Sequence, residues 1–172
     1  TDSSADGELA ARLAYNVGYE EFEATRAAEA AAEKLTGAKR RAADAKVQEG
    51  FRSARARFEQ AAAANPAVKE AWNLVGYTAR RLGDYDASLA AYEKALALQP
   101  DYPEAIEYRA EAFLALNRLD DAKAAYLALF ASARGHADVL MQAMQRWVAE
   151  RRKQAGGVSK ADIDGFAGWV EE

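Results

Sequence analysis

The chain has 172 residues and a formal net charge of −4, a balance that argues against non-specific binding to nucleic acid or anionic lipid. It has no cysteine, which excludes a disulfide framework and a thiolate metal site, and no apolar run approaches the length of a membrane span. About half of it (51%) is hydrophobic, but alanine carries most of that share, so a core must come from close helix approach more than from bulky side chains.

Residues 1–6 open a small, polar stretch, TDSSADGE, that reads as the disordered start of a processed or trimmed protein; no signal-peptide pattern follows it. Helix formers then run from about residue 7 to 64, with Gly37 the breaker near the middle. The spacing predicts one helix from 7 to 35, a tip at Thr36–Gly37 and a second helix from 38 to 64. Val47, Phe51, Ala54, Phe58 and Ala61 keep a 4-3-4-3 spacing straight through Gly50, as an unbroken second helix requires. A turn at QEGF (48–51), with an extra helix before it, is the alternative. Beyond Val47 the expected inward positions are Ala24, Ala28, Ala31, Ala42 and Ala43, with Leu35 at the end.

From Lys69 to Arg81 the pattern is helical, with Trp72, Val75, Gly76 and Ala79 on one face. LGDY (82–85) breaks it, and Asp84 is placed to cap a helix over 85–98 that ends at QPDYP. The same events follow: Ile106, Ala110 and Phe113 on one helix, a turn at LNRLDD, then Ala122, Tyr126 and Leu129 on the next. Tyr92 to Tyr126 and Ser88 to Ala122 are both 34 residues apart. A further helix is expected over 137–149 through Leu140, Met144 and Trp147. After KQAGGVS, Ser159 and Asp162 have capping-box spacing ahead of Ile163, Phe166 and Val170.

The stretch 71–100 resembles a tetratricopeptide repeat (TPR), with Trp72, Gly76, Ser88, Tyr92, Ala95 and Pro100 in the motif's slots and serine the one mild departure. The unit 103–134 matches less closely, with Ile106 in the tryptophan slot and Arg109 in a leucine slot. Arg109 is expected to be a partly buried arginine paired with a glutamate. An earlier second helix keeps the register as Ala54, Phe58, Ala61 and Pro66. The triplet Val17-Gly18-Tyr19 repeats as Val75-Gly76-Tyr77 at a distance of 58, not 34, so roughly 24 residues are inserted in the first unit. Shared equally, the insertion lengthens each helix by about 12 residues and extends the hairpin by roughly 18 Å. The resemblance thus implies an all-α, TPR-type helical-hairpin array (α-solenoid) with an elongated N-terminal hairpin and a C-terminal capping helix. As one domain, 1–172, it divides into the hairpin over 7–66, repeats over 67–101 and 102–135, and a cap over 136–172. The order YN–GY, alanine-rich hairpin, AWN–VGYTARRLGDYD and a tail ending FAGWVEE is also similar to small exported bacterial TPR proteins. That likeness implies a periplasmic or otherwise exported location, with a cytoplasmic one as the alternative, and implies no reaction.

No enzyme pattern is present. His136, the only histidine, reads as a polar loop residue without a second metal ligand at the right spacing. AGGVS lacks the lysine and strand of a phosphate loop, and the runs KRR and RRK lack interleaved aromatics. No cofactor is expected. TPR arrays bind peptides in a concave groove formed by the first helix of each unit. The register then implies a binding set of Tyr15, Tyr19 and Phe22; Asn73, Tyr77 and Arg80; Glu104, Glu107 and Glu111; and Met141 and Gln145, with Arg12, Glu70, Leu114 and Val148 beside them. Three tyrosines suit an extended peptide, and the glutamate row favours a neutral-to-basic one. The expected function is therefore a non-catalytic protein- or peptide-binding adaptor. A self-assembling scaffold, joined through repeat stacking or the hairpin, is the alternative.

Overall fold

The structure, a computed structural model, describes residues 3–172 as eight helices. The chain forms two compact units, Thr1–Pro100 and Asp101–Glu172.

In the first unit, α1 (Ser3–Ala32) and α2 (Gly37–Ala64) make a long antiparallel hairpin. The start expected to be disordered through residue 6 is helical from Ser3 onward, and residues 1 and 2 lie outside the described residues. Asp6 in the first turn complements the positive end of the helix dipole. Helix α1 ends at Ala32 rather than 35, through bonds from Lys34 N to Ala31 O and Leu35 N to Ala32 O. Gly37 opens α2 at φ +59°, a conformation glycine takes without strain. Helix α2 runs unbroken through Gly50, so no turn forms at 48–51.

The hairpin seam joins Ala11, Gly18, Phe22, Thr25 and Ala32 of α1 to Val47, Phe51, Ala54, Phe58 and Ala61 of α2. Two glycines set the helix separation. A Cβ on Gly18 would lie 2.8 Å from Arg57 Cβ, and one on Gly50 would lie 2.2 Å from Thr25 Oγ1. Because the seam follows 18-22-25-32, Ala24, Ala28 and Ala31, expected to face inward, are exposed instead; they lie roughly 80–140° around the helix from the seam's centre. On α2, Ala42 is also exposed and Ala43 half-buried.

Helices α3 (Lys69–Arg81) and α4 (Tyr85–Leu98) complete this unit. Tyr92 is fully buried on Gly76, where a Cβ would come within 2.6 Å of its ring. Ser88 in the alanine slot is satisfied: its Oγ donates to Gly76 O at 2.7 Å. Asp84 caps α4 by accepting from Ala87 N, and Arg55 of α2 pairs with the same carboxylate at 3.0 Å. Trp72 Nε1 donates to Pro66 O at 2.9 Å.

The second unit contains α5 (Pro103–Ala115), α6 (Leu119–Ser132), α7 (Arg134–Lys153) and α8 (Lys160–Glu171). Asn117, at φ 57°, ends α5 with paired bonds from Arg118 N to Phe113 O and Asn117 N to Leu114 O. Helix α7 begins three residues before the expected 137. Ser159 caps α8 by accepting from Asp162 N. The cap is aromatic: Phe166 meets Trp147 edge-on at 5.2 Å, and Trp169 meets Tyr126 at 5.5 Å.

Candidate functional site

Each unit presents its own part of the expected binding set. In the first, an aromatic row runs along α1 and crosses to α3. Tyr15 stacks on Tyr19 with ring centres 6.0 Å apart, Tyr19 lies 6.0 Å from Phe22, and Phe22 meets Tyr77 edge-on at 4.9 Å. The i, i+4 and i, i+3 spacings put the α1 rings on one face, and Phe58 of α2 backs both Tyr15 (5.6 Å) and Phe22 (6.1 Å).

These rings are not equally available. Tyr19 is 43% exposed and Tyr15 half-buried, whereas Phe22 and Tyr77 are buried. Phe22 is therefore a core residue of the hairpin, not a groove-surface one, because α2 and α3 both close on it. Burial, aided by Glu70 and Tyr19, pushes the Tyr15 hydroxyl up to about 12. Arg80 lies 4.9 Å from the Tyr77 ring and Arg26 5.5 Å from Phe22. Beside Tyr15, a recess of about 270 Å³ is lined by Glu8, Ala11, Arg12, Asn65 and Val68.

Asn73 lies one turn before Tyr77 on α3. It is only 3% exposed, and its Oδ1 is buried without a hydrogen bond. A buried acceptor left unmade costs about 1–3 kcal/mol, so an unsatisfied amide oxygen next to an aromatic row asks for an explanation.

In the second unit the glutamate row does not form a uniform acidic surface. Glu104 and Glu111 are half-buried, but Glu107 is only 5% exposed. Glu107 Oε2 lies 2.5 Å from His136 Nδ1, and Glu104 Oε1 is 3.9 Å from His136 Nε2. Burial holds the Glu107 carboxyl above the usual carboxylate range; His136 pulls it down, and Glu111 and Glu104 add to the rise. His136, expected in a loop, is thus a helical residue in the first turn of α7, tied to α5. Helix α7 starts two residues before His136 and carries the imidazole to the carboxylate.

Of the remaining residues, Met141 is half-buried and Gln145 exposed, while Leu114 and Val148 are buried. Arg109 is half-buried, its guanidinium 5.4 Å from the Phe113 ring. Among the described residues no group of three His, Cys, Asp or Glu could hold a metal ion, and no helix is long and apolar enough to cross a membrane.

Comparison with known proteins supports the repeat family. Two tetratricopeptide-repeat family profiles match, one over residues 40–103 and the other over 79–146. No curated protein matches the sequence. Among solved structures, the chain is similar to YrrB, described as a TPR protein with an unusual peptide-binding site. The identity is 18% and the TM-score 0.50, over 94% of this chain and 82% of that one. The 34-residue spacing, the Gly76–Tyr92 and Ser88–Gly76 contacts and both profiles agree: the chain belongs to the tetratricopeptide repeat proteins.

Proposed function

We propose that this chain is a non-catalytic adaptor that binds an extended segment of another protein over the Tyr15–Tyr19–Asn73 face of the first unit. Its repeat family and its likeness to YrrB, whose description names a peptide-binding site, support protein interaction in general. The observation that carries the finer reading is Asn73. Its unpartnered Oδ1 is buried on α3 one turn before Tyr77, and a peptide N–H would satisfy it once the amide turns outward. Tyr19 supplies the exposed ring, and the recess beside Tyr15 has room for an apolar side chain.

The expectation of a basic ligand rested on three glutamates. With Glu107 withdrawn against His136, and Arg12 and Arg26 along α1, the segment is better read as neutral. An exported location, implied by resemblance, belongs to this proposal and is checked by fractionating the native cell.

The test selects peptides from a random display library on the purified chain and measures their affinity for variants. Tyr19→Ala and Asn73→Ser should each weaken binding about tenfold with unchanged circular dichroism. Full affinity in both folded variants would remove the proposed site. The alternative, a self-assembling scaffold, is favoured by a separate observation on α1.

A further inference from the structure

Helix α1 has two apolar faces, and the hairpin uses only one. The other carries Leu9, Leu13 and Val17 on successive turns, 55%, 58% and 43% exposed, and continues at helical spacing as the exposed Ala24, Ala28 and Ala31. Helix propensity accounts for the alanines. It does not account for the β-branched valine, nor for three large apolar side chains set side by side as one exposed patch rather than scattered singly.

We infer that a second copy of this chain covers this face, its α1 running antiparallel to the first about a two-fold axis near residue 22. The reason is the distribution of sizes. The large residues lie in the N-terminal half of the stripe and the alanines in the C-terminal half. An antiparallel partner sets Leu13 against Ala31 and Val17 against Ala27, and brings Leu9 to the partner's Leu35, which is itself 36% exposed. Large meets small at Leu13 and Val17, and the one pair of large residues, Leu9 with Leu35, falls past the end of the partner's α1, so the helix axes keep one separation within the usual 8–10 Å. A parallel pair would oppose leucine to leucine at one end and alanine to alanine at the other, forcing the helices to splay. The same patch serves both copies, as a closed two-fold dimer requires.

The contact is modest. A strip about 40 Å long and 10 Å wide buries roughly 800 Å² in total, which places it among weak, reversible dimers. Glu20, the one charge inside the stripe, falls beside the axis in both copies and opposes association. The surface is separate from the Tyr15–Tyr19–Asn73 face, so either can fail without the other.

Sedimentation velocity from about 1 µM to 1 mM should show a concentration-dependent dimer. Leu13→Glu should stay monomeric throughout, and Glu20→Ala should dimerise about threefold or more tightly. Because the chain lacks cysteine, single-cysteine variants report register cleanly. Leu13→Cys mixed with Ala31→Cys should form a disulfide dimer on mild oxidation, whereas Leu13→Cys alone should not. A monomer at every concentration, a Leu13→Glu variant that dimerises like the parent, or Leu13→Cys cross-linking as readily alone as in the mixture would each overturn the inference.

Discussion

Gly76→Ala sets two effects of opposite sign against each other. In an open helix the change removes glycine's backbone-entropy cost and stabilises by about 0.8–1.0 kcal/mol. At Gly76 the new Cβ would lie 2.6, 2.7 and 2.9 Å from three atoms of the Tyr92 ring, closer than side chains come without something shifting. Tyr92 is fully buried, so its ring has no open space to move into. Relief has to come from separating α3 and α4, which stretches the 2.7 Å bond from Ser88 Oγ to Gly76 O. Overpacking of this kind costs about 1–3 kcal/mol, which cancels or outweighs the propensity gain, for a net loss of up to about 2 kcal/mol. Gly165→Ala is the control, because it lies in α8 with nothing within 4 Å of a new Cβ and should stabilise by up to about 1 kcal/mol. Urea unfolding followed by circular dichroism reads both midpoints. If Gly76→Ala raises stability as Gly165→Ala does, Tyr92 does not pack on Gly76 and the repeat register is wrong.

Three further outcomes are expected. Amide exchange at 28–44 should be faster than at 88–96, since the end of the hairpin buries little beyond Ala32 and Val47; equal protection would refute this. His136→Ala should cost about 2 kcal/mol at neutral pH, because it leaves the buried Glu107 carboxylate without its bond, and thermal unfolding at pH 7 measures it. The sign with pH follows from Glu107's raised pKa. The folded state holds its proton more tightly than the unfolded one, so that contribution is present below about pH 4.3 and lost as pH rises through the folded value; Glu107→Gln should flatten the dependence. Ser88→Ala should change stability by less than about 1 kcal/mol, as it removes both the hydroxyl and the need to satisfy it; a larger loss in urea unfolding would show that the bond to Gly76 matters more than packing.

The sequence alone determined the helical repeat. A 34-residue spacing, Trp72 and Gly76 in their slots, a capping Asp84 and a stopping Pro100 are local signals, and local signals survive without knowledge of the neighbours. The unbroken α2 was legible for the same reason, since a 4-3-4-3 apolar row through Gly50 already specifies one face of one helix. The tertiary structure decided which faces are shared. Ala24, Ala28 and Ala31 are as apolar as any seam residue, and only the crossing set by Gly18 and Gly50 turns them outward and draws Thr25 in. It also decided the charges. Glu107 and His136 are 29 residues apart, and nothing in either segment states that α5 and α7 bring them within 2.5 Å, where burial changes an exposed acid into a structural one. Periodicity records which residues want a partner, and the partner itself is fixed by contacts between helices distant in sequence.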